Sequence, residues 1–241
     1  MRYAILSDIH GNLEALRAVL EACEDEGVRG YFCAGDIVGY GADPAACIET
    51  IRSIKAKTIA GNHDWAVVGK EDTRDFNPVA RAAIEWTKEH LAQEEIDWLN
   101  QLELVYHHQD FVMVHGTLNR PELFTYMTDL GLANDTFYLM KKPLCFIGHT
   151  HEAQVIIQHE GKLSYLKKLR FELDARIKYI VNVGSVGQPR DGDPRASYCI
   201  YDPDLSRVEI KRAAYDIRSA QAKILEAGLP EFLAQRLGIG Q

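Results

Sequence analysis

The stretch Ser7-Asp8-Ile9-His10-Gly11-Asn12 ends an apolar run, Tyr3-Ala4-Ile5-Leu6, on an acid and an imidazole two residues apart. Residues two apart in an extended chain project to the same side, so Asp8 and His10 are expected to point together from a strand end. The change from apolar to polar recurs. Phe32-Cys33-Ala34 leads to Gly35-Asp36, and Ile59-Ala60 leads to Gly61-Asn62-His63-Asp64. Phe111-Val112-Met113-Val114 leads to His115-Gly116, and Leu144-Cys145-Phe146-Ile147 leads to Gly148-His149-Thr150-His151. Five of the nine histidines fall in these stretches. Carboxylate, amide and imidazole donors together are a ligand set for divalent metal; without thiolate they suit Mn, Fe, Zn, Co or Ni.

Each piece alone has an ordinary explanation. Asp8-x-His10 fits a turn with a helix cap, Asp36 fits a capping residue, Gly61-Asn62 is a common turn dipeptide, and a lone His115 fits a hydrogen-bonded core histidine. Five unrelated turns have no reason to share these groups directly after apolar runs. In open α/β sheets the carboxyl ends of strands border the ligand crevice, so the joint pattern predicts one metal centre there.

The elements that would position it follow from periodicity. Leu13, Leu16, Leu20 and Cys23 form a stripe at helical spacing, with Asn12 as N-cap and Gly27 at the C-terminal end. Tyr31–Ala34 then fits a buried strand, giving a strand, helix, strand unit with parallel strands. Asp43-Pro44 opens a helix expected to run to about Ile54, with Asp43 as its cap. Residues Thr58–Ala60 read as a third strand, and Asn77 to about Asn100 as an inserted pair of helices broken near Ala92-Gln93. The apolar runs at Phe111–Val114 and Leu144–Ile147 read as further buried strands. Ala153–Gln158, Ile177–Val183, Ser197–Asp202 and Arg207–Ala213 read as an antiparallel second half, with Asp202-Pro203-Asp204 as a turn. Asp216 to Leu237 is helical, broken at Gly228-Leu229-Pro230.

The chain has 241 residues, 46% of them hydrophobic, and a formal net charge of -8. One domain over residues 1–241 is expected, with a helical insertion near 65–101. The acidic balance argues against general affinity for nucleic acid or an anionic membrane. No apolar run is long enough to span a membrane and no signal peptide precedes the first strand, so a cytoplasmic location is expected. Five widely spaced cysteines without CxxC read as reduced core residues.

Read in order, Asp8-x-His10, Gly35-Asp36, Gly61-Asn62-His63-Asp64, His115-Gly116 and Gly148-His149-x-His151 resemble the calcineurin-like metallophosphoesterase superfamily. Asn182–Arg190 resembles a loop of its small bacterial and archaeal phosphodiesterase-like members. The resemblance implies an α/β fold, a four-layer αββα sandwich of two mixed sheets flanked by helices. It also implies two divalent transition-metal ions, with Mn²⁺ the first expectation. Asp8, His10, Asp36 and His151 would hold one ion, and Asp36, Asn62, His115 and His149 the other, Asp36 bridging. His63 would face the substrate phosphate, oriented by Asp64, and a protonated His63 could protonate the leaving group. The implied reaction is hydrolysis of phosphate mono- or diesters, or of nucleotide phosphoanhydrides, by a hydroxide held between the ions.

Some features depart from that family pattern. Many relatives carry Glu where Asp64 stands and proline where Val183 stands, and Thr117-Leu118-Asn119-Arg120 differs from the expected small-residue and proline pattern. Tyr40, Arg120, Gln188, Arg190 and Arg195 are candidate substrate contacts, although surface salt bridges explain the arginines equally well. A small phosphate ester or nucleotide is the expected partner. The alternatives are a non-catalytic scaffold of the same fold, which has no need of a complete ligand set, and a nuclease, for which the chain lacks a basic stripe.

Overall fold

In the computed structural model, which describes residues 1–241 apart from the side chain of Asp75, the N-terminal apolar run is β1 (Arg2–Leu6). There follow α1 (Leu13–Asp25), β2 (Val28–Cys33), α2 (Pro44–Ser53), β3 (Lys57–Thr58) and α3 (Asn62–Val67). The expected pair of helices is α4 (Pro78–His90) and α5 (Gln93–Asn100). Then come β4 (Val105–His107), β5 (Phe111–Val114), α6 (Leu130–Leu139), β6 (Leu144–Ile147), β7 (Ala153–His159), β8 (Lys162–Tyr165) and β9 (Arg170–Glu172). β10 (Ile177–Val183), β11 (Ala196–Asp202), β12 (Arg207–Ala213), α7 (Ile217–Glu226) and α8 (Glu231–Leu237) complete the order.

The strands form two mixed six-stranded sheets, ordered β3-β2-β1-β11-β12-β9 and β4-β5-β6-β10-β7-β8. Their side chains alternate between cores, as the pleat requires. Ile5, Phe32, Phe111, Met113, Phe146, Val181 and Cys199 fill the space between the sheets. Ala4, Leu6 and Cys33 turn the other way, onto Leu16 and Val19 of α1 and Ile48 and Ile51 of α2. On the far side Val112, Val114, Cys145 and Ile147 meet Ala133 and Phe137 of α6. Helix, sheet, sheet, helix is therefore the layer order, and each fully buried Val, Leu, Ile, Phe or Met side chain among these contributes roughly 1.5–3 kcal/mol of transfer free energy.

β1, β2 and β3 run parallel, as do β5, β6 and β10, so within each sheet these strands share a direction. The antiparallel second half is realised in β7 with β10 and in β11 with β12, but β10 lies parallel to β6. Asn12 caps α1 by accepting from Ala15 N–H at 3.1 Å. Asp43 does not cap α2; its carboxylate instead accepts from Lys223 Nζ at 2.7 Å, tying α7 to that turn. The short α3 replaces the plain turn that Gly61-Asn62 suggests.

Candidate metal centre

The loops after the strands are bent back sharply. Asp8, His10, Asp36, His149 and His151 have φ of 53°, 50°, 54°, 70° and 62°, a left-handed backbone that non-glycine residues seldom adopt. Asp8 and His10 therefore do not meet through the alternation of an extended strand. Backbone bonds hold the bends: Asp8 N–H donates to Gly35 O at 2.9 Å and His10 N–H to Asp36 O at 3.0 Å. Gly61 must be glycine, because a Cβ there would overlap the Asp36 carboxylate. Such strain persists where the surroundings over-determine it, and it concentrates at functional sites.

Three groups of side chains bring donor atoms within 4.8 Å of one another: Asp8, His10 and His151; His10, Asp36 and His63; Asp36, His115 and His149. His10 Nε2 and His151 Nε2 are 3.0 Å apart, the spacing of two ligands at right angles around an ion bound at about 2.1 Å. His151 Nε2 is 3.2 Å from Asp8 Oδ1, and Asp36 Oδ2 is 3.3 Å from His115 Nε2 and 3.6 Å from His10 Nε2. Asp8, Asn62, His115 and His149 each present a buried atom without a hydrogen-bond partner: Oδ1, Oδ1, Nε2 and Nε2. Buried polar atoms are ordinarily satisfied, so four orphans at one place fit a bound cation.

The surrounding bonds leave those atoms free. His10, His115 and His151 each set Nδ1 against a backbone oxygen, of Val38 at 3.0 Å, Ala34 at 2.7 Å and Gln188 at 2.6 Å. With Nδ1–H donating, Nε2 keeps its lone pair for a metal. Each carboxylate is fixed by one oxygen only. Asp8 Oδ2 accepts from His149 N–H at 3.0 Å, and Asp36 Oδ1 from His63 N–H at 2.8 Å. The late loop clamps the first: Ser185 Oγ donates to Asp8 O at 2.7 Å, and Gly187 N–H donates to the same oxygen at 2.9 Å.

Burial pushes His10 and His151 down, and His149 to about 3. These rings are neutral, as ligands must be. At His115 burial acts in the same sense but is outweighed by Asp36 and Asp8, which raise it to about 9. Burial favours protonated Asp8 and Asp36, yet the facing rings, His151 for Asp8 and His115 for Asp36, hold both carboxyls well below their usual range. Two ionised carboxylates thus face a His115 ring that is protonated without an ion, and a metal bound there would displace that proton.

His63 is buried beside this cluster, its ring 4.8 Å from that of His10 and 4.5 Å from that of Tyr40. Burial drives it to about 4, so the free protein carries it neutral rather than protonated. Asp64 does not orient the His63 ring. Its carboxylate accepts from the backbone N–H of Asp36, Ile37 and Gly61 at 2.8, 3.0 and 3.0 Å, stitching α3 to the Asp36 turn. Arg190 lies over the Tyr40 ring at 5.7 Å and donates to Gln188 Oε1 at 2.8 Å. Arg120 and Arg195 stand elsewhere, exposed and paired with Glu122 and Asp193. The cleft over the cluster is lined by Tyr40, Asn62, His63, Phe76, Tyr126 and His149 among others. Tyr126 stacks on His149 with centroids 3.7 Å apart, and Phe76 meets His63 edge-on. Neither aromatic carries a motif, so only the folded loops reveal them.

An αββα sandwich with a metal-binding Asp and His cluster at its strand ends defines a metallophosphoesterase. The chain belongs to the calcineurin-like phosphoesterase superfamily, whose domain model matches residues 1–205. It is 40% identical over 248 residues to the Methanocaldococcus jannaschii protein MJ0912, covering 99% of this chain and 98% of that protein. A metallophosphoesterase crystal structure from Sphaerobacter thermophilus is 41% identical, with TM-score 0.88, covering 100% of this chain and 99% of that one. The symmetrical bis(5'-nucleosyl)-tetraphosphatase of Vibrio campbellii is 30% identical over 129 residues, which are 48% of this chain and 44% of that protein.

Proposed function

We propose that the protein is a binuclear-metal-dependent phosphoesterase acting on a small phosphate ester or nucleotide. The observation that carries the reading is the set of buried, unpartnered atoms, Asp8 Oδ1, Asn62 Oδ1, His115 Nε2 and His149 Nε2, beside the Asp36 carboxylate. Asp8, His10, Asp36 and His151 would hold one ion, and Asp36, Asn62, His115 and His149 the second. Divalent ions there, Mn²⁺ foremost, supply charge for phosphoryl oxygens and bring the pKa of a bound water toward neutrality.

The protein's own groups do the rest. Asp36 reaches both groups of imidazoles and is the natural bridge. Asn62 donates an oxygen without adding negative charge, which keeps the centre electrophilic. His63, set against the cleft, contacts the phosphate or the leaving group; a phosphate dianion beside it favours its protonated form, which then serves as the acid. Nucleotide substrates are supported by the Vibrio relative's activity and by the aromatic lining of the cleft. Five buried free cysteines accord with the reducing cytoplasm, and no helix among the described residues is long and apolar enough to cross a membrane.

The test is elemental analysis together with a metal-supplemented screen of phosphate monoesters, diesters and dinucleoside polyphosphates. Two ions per chain and hydrolysis with Mn²⁺ are expected. Fewer than one ion per chain at saturating metal, or two ions with no hydrolysis of any class, would favour the scaffold reading.

A further inference from the structure

Three of the four candidate ligand histidines are aimed by main-chain oxygens, and the fourth is not. His10, His115 and His151 each set Nδ1 against a carbonyl, whereas neither ring nitrogen of His149 has a hydrogen-bond partner among the described residues. The His149 N–H donates to Asp8 Oδ2 at 3.0 Å, which fixes the main chain but leaves the ring free to turn about its side-chain torsions. Its closest ring contact is Tyr126, stacked at an interplanar angle of 19° with centroids 3.7 Å apart.

The segment that delivers Tyr126 is fixed on both sides. Phe124, buried, takes φ of 44°, a left-handed conformation that an aromatic residue adopts only where its surroundings impose it. Its ring meets those of Trp65 and His115 edge-on, at 5.3 and 6.0 Å. Met127, also buried, packs in one apolar cluster with Val114 and Ile147, the last residues of β5 and β6. Between them the Thr125 carbonyl oxygen comes so near Gly116 that a Cβ there would sit 2.7 Å from it, so the glycine after His115 lets the segment pass. Tyr126 itself stays 47% exposed. A side chain so open to water adds little to the core, so the contact it makes, rather than the area it buries, accounts for this construction.

We infer that Tyr126 is a positioning residue for metal: its ring, carried past Gly116 by the Phe124–Met127 segment, holds the His149 imidazole in the orientation that binds the ion assigned to Asp36, Asn62, His115 and His149. The stack does for His149 what a carbonyl does for the other three. The inference rests on the two-ion reading, which the wild-type stoichiometry tests separately.

Calorimetric titration of the metal-stripped protein with Mn²⁺ reads each ion's affinity. Tyr126→Ala should bind one ion as the wild type does and the other about 10- to 100-fold more weakly, the usual loss when a ligand's supporting contact is removed. Tyr126→Leu, which keeps apolar bulk but no planar face, should show the same split. Tyr126→Phe, which keeps the stack and loses only the hydroxyl, should bind both ions at wild-type affinity. Unchanged affinity in Tyr126→Ala or Tyr126→Leu, equal weakening of both ions, or a Tyr126→Phe protein as poor as Tyr126→Ala would overturn the inference. The metal-stripped variants should melt at the wild-type temperature; melts that fall together with affinity would make Tyr126 merely structural. A wild type that binds a single ion refutes the two-ion reading instead. The role of Tyr126 then stands if Tyr126→Ala weakens that ion and Tyr126→Phe restores it, and falls otherwise.

Discussion

Asp64 Oδ2 accepts from the backbone N–H of Asp36 at 2.8 Å, so one buried acid holds the main chain of another in a left-handed turn. Asp64→Asn keeps one oxygen and introduces an NH₂ toward amides that need an acceptor. A loss of about 1–3 kcal/mol per orphaned amide is expected, with weaker metal uptake as the Asp36 turn loosens. Chemical denaturation and metal titration check this. Unchanged stability with lost turnover would place Asp64 in the chemistry instead.

Asp36→Asn should reduce activity more than Asp8→Asn, because Asp36 Oδ2 lies 3.6 and 3.3 Å from His10 and His115, closer to both than Asp8 Oδ1, which lies 3.8 and 3.9 Å from them and is nearest to His151. Turnover at equal folded fraction and equal added metal decides it. The opposite ranking would remove Asp36 from the bridging position.

Chelation should lower the melting temperature. An ion bound to the native state alone, at 100 times its Kd, contributes about 2.7 kcal/mol, worth roughly 5–10 °C in a chain of this size. Calorimetric scans with chelator, and then with Mn²⁺ restored, test it. Coincident melts would mean that the orphaned donors hold no ion.

His63→Gln should keep both ions and the fold while slowing turnover by about 10² to 10⁴. The loss should shrink for a nitrophenolate leaving group, which needs little protonation. Equal losses for acidic and basic leaving groups would assign His63 to the phosphoryl oxygens. Loss of an ion, seen by elemental analysis, would make His63 a ligand, a role its place near His10 and Asp36 makes worth testing.

Lys223 joins α7 to Glu14 and Asp43 at 2.6 and 2.7 Å. Burial works to lower its pKa, but the two carboxylates outweigh it and raise it. A raised pKa means stability present below the unfolded lysine value and lost as pH climbs through the folded one. Lys223→Met should therefore cost about 1 kcal/mol or less near neutral pH, and its deficit should vanish at strongly alkaline pH. Denaturant midpoints at pH 7 and pH 11 would show whether the gap closes.

Much of the site was legible because polar residues after apolar runs are conspicuous. Asp8, His10, Asp36, Asn62, His115, His149 and His151 all gather at one rim of the sandwich. How they gather was not legible. The backbone reversals at five of them depend on contacts with other loops, which no local spacing encodes. Among the arginines, Arg120 and Arg195 took the surface-pair alternative, and Arg190 alone lies beside the cluster.

The missed elements have physical reasons too. α6 contains Gly131, Asn134, Asp135 and Thr136, poor helix formers, and it exists because Ala133 and Phe137 pack on the second sheet. β4, β8 and β9 are short strands at sheet edges with half-exposed residues, so they lack the apolar run that marks a central strand. Tyr126 and Phe76 reach the cleft from segments whose course is set by packing.

The acceptor for His151 Nδ1 is the carbonyl of Gln188, 37 residues further along the chain. The carbonyl of Asp8 waits equally for Ser185 and Gly187. A polypeptide ending at His151 thus carries all seven candidate side chains, with His10, His115 and both carboxylates held by partners within it, but lacks the bonds that aim His151 and brace the Asp8 main chain. The Asn182–Arg190 turn therefore closes the last part of the site over the first strand, and a chain truncated before that turn leaves His151 without its acceptor and Asp8 without its clamp.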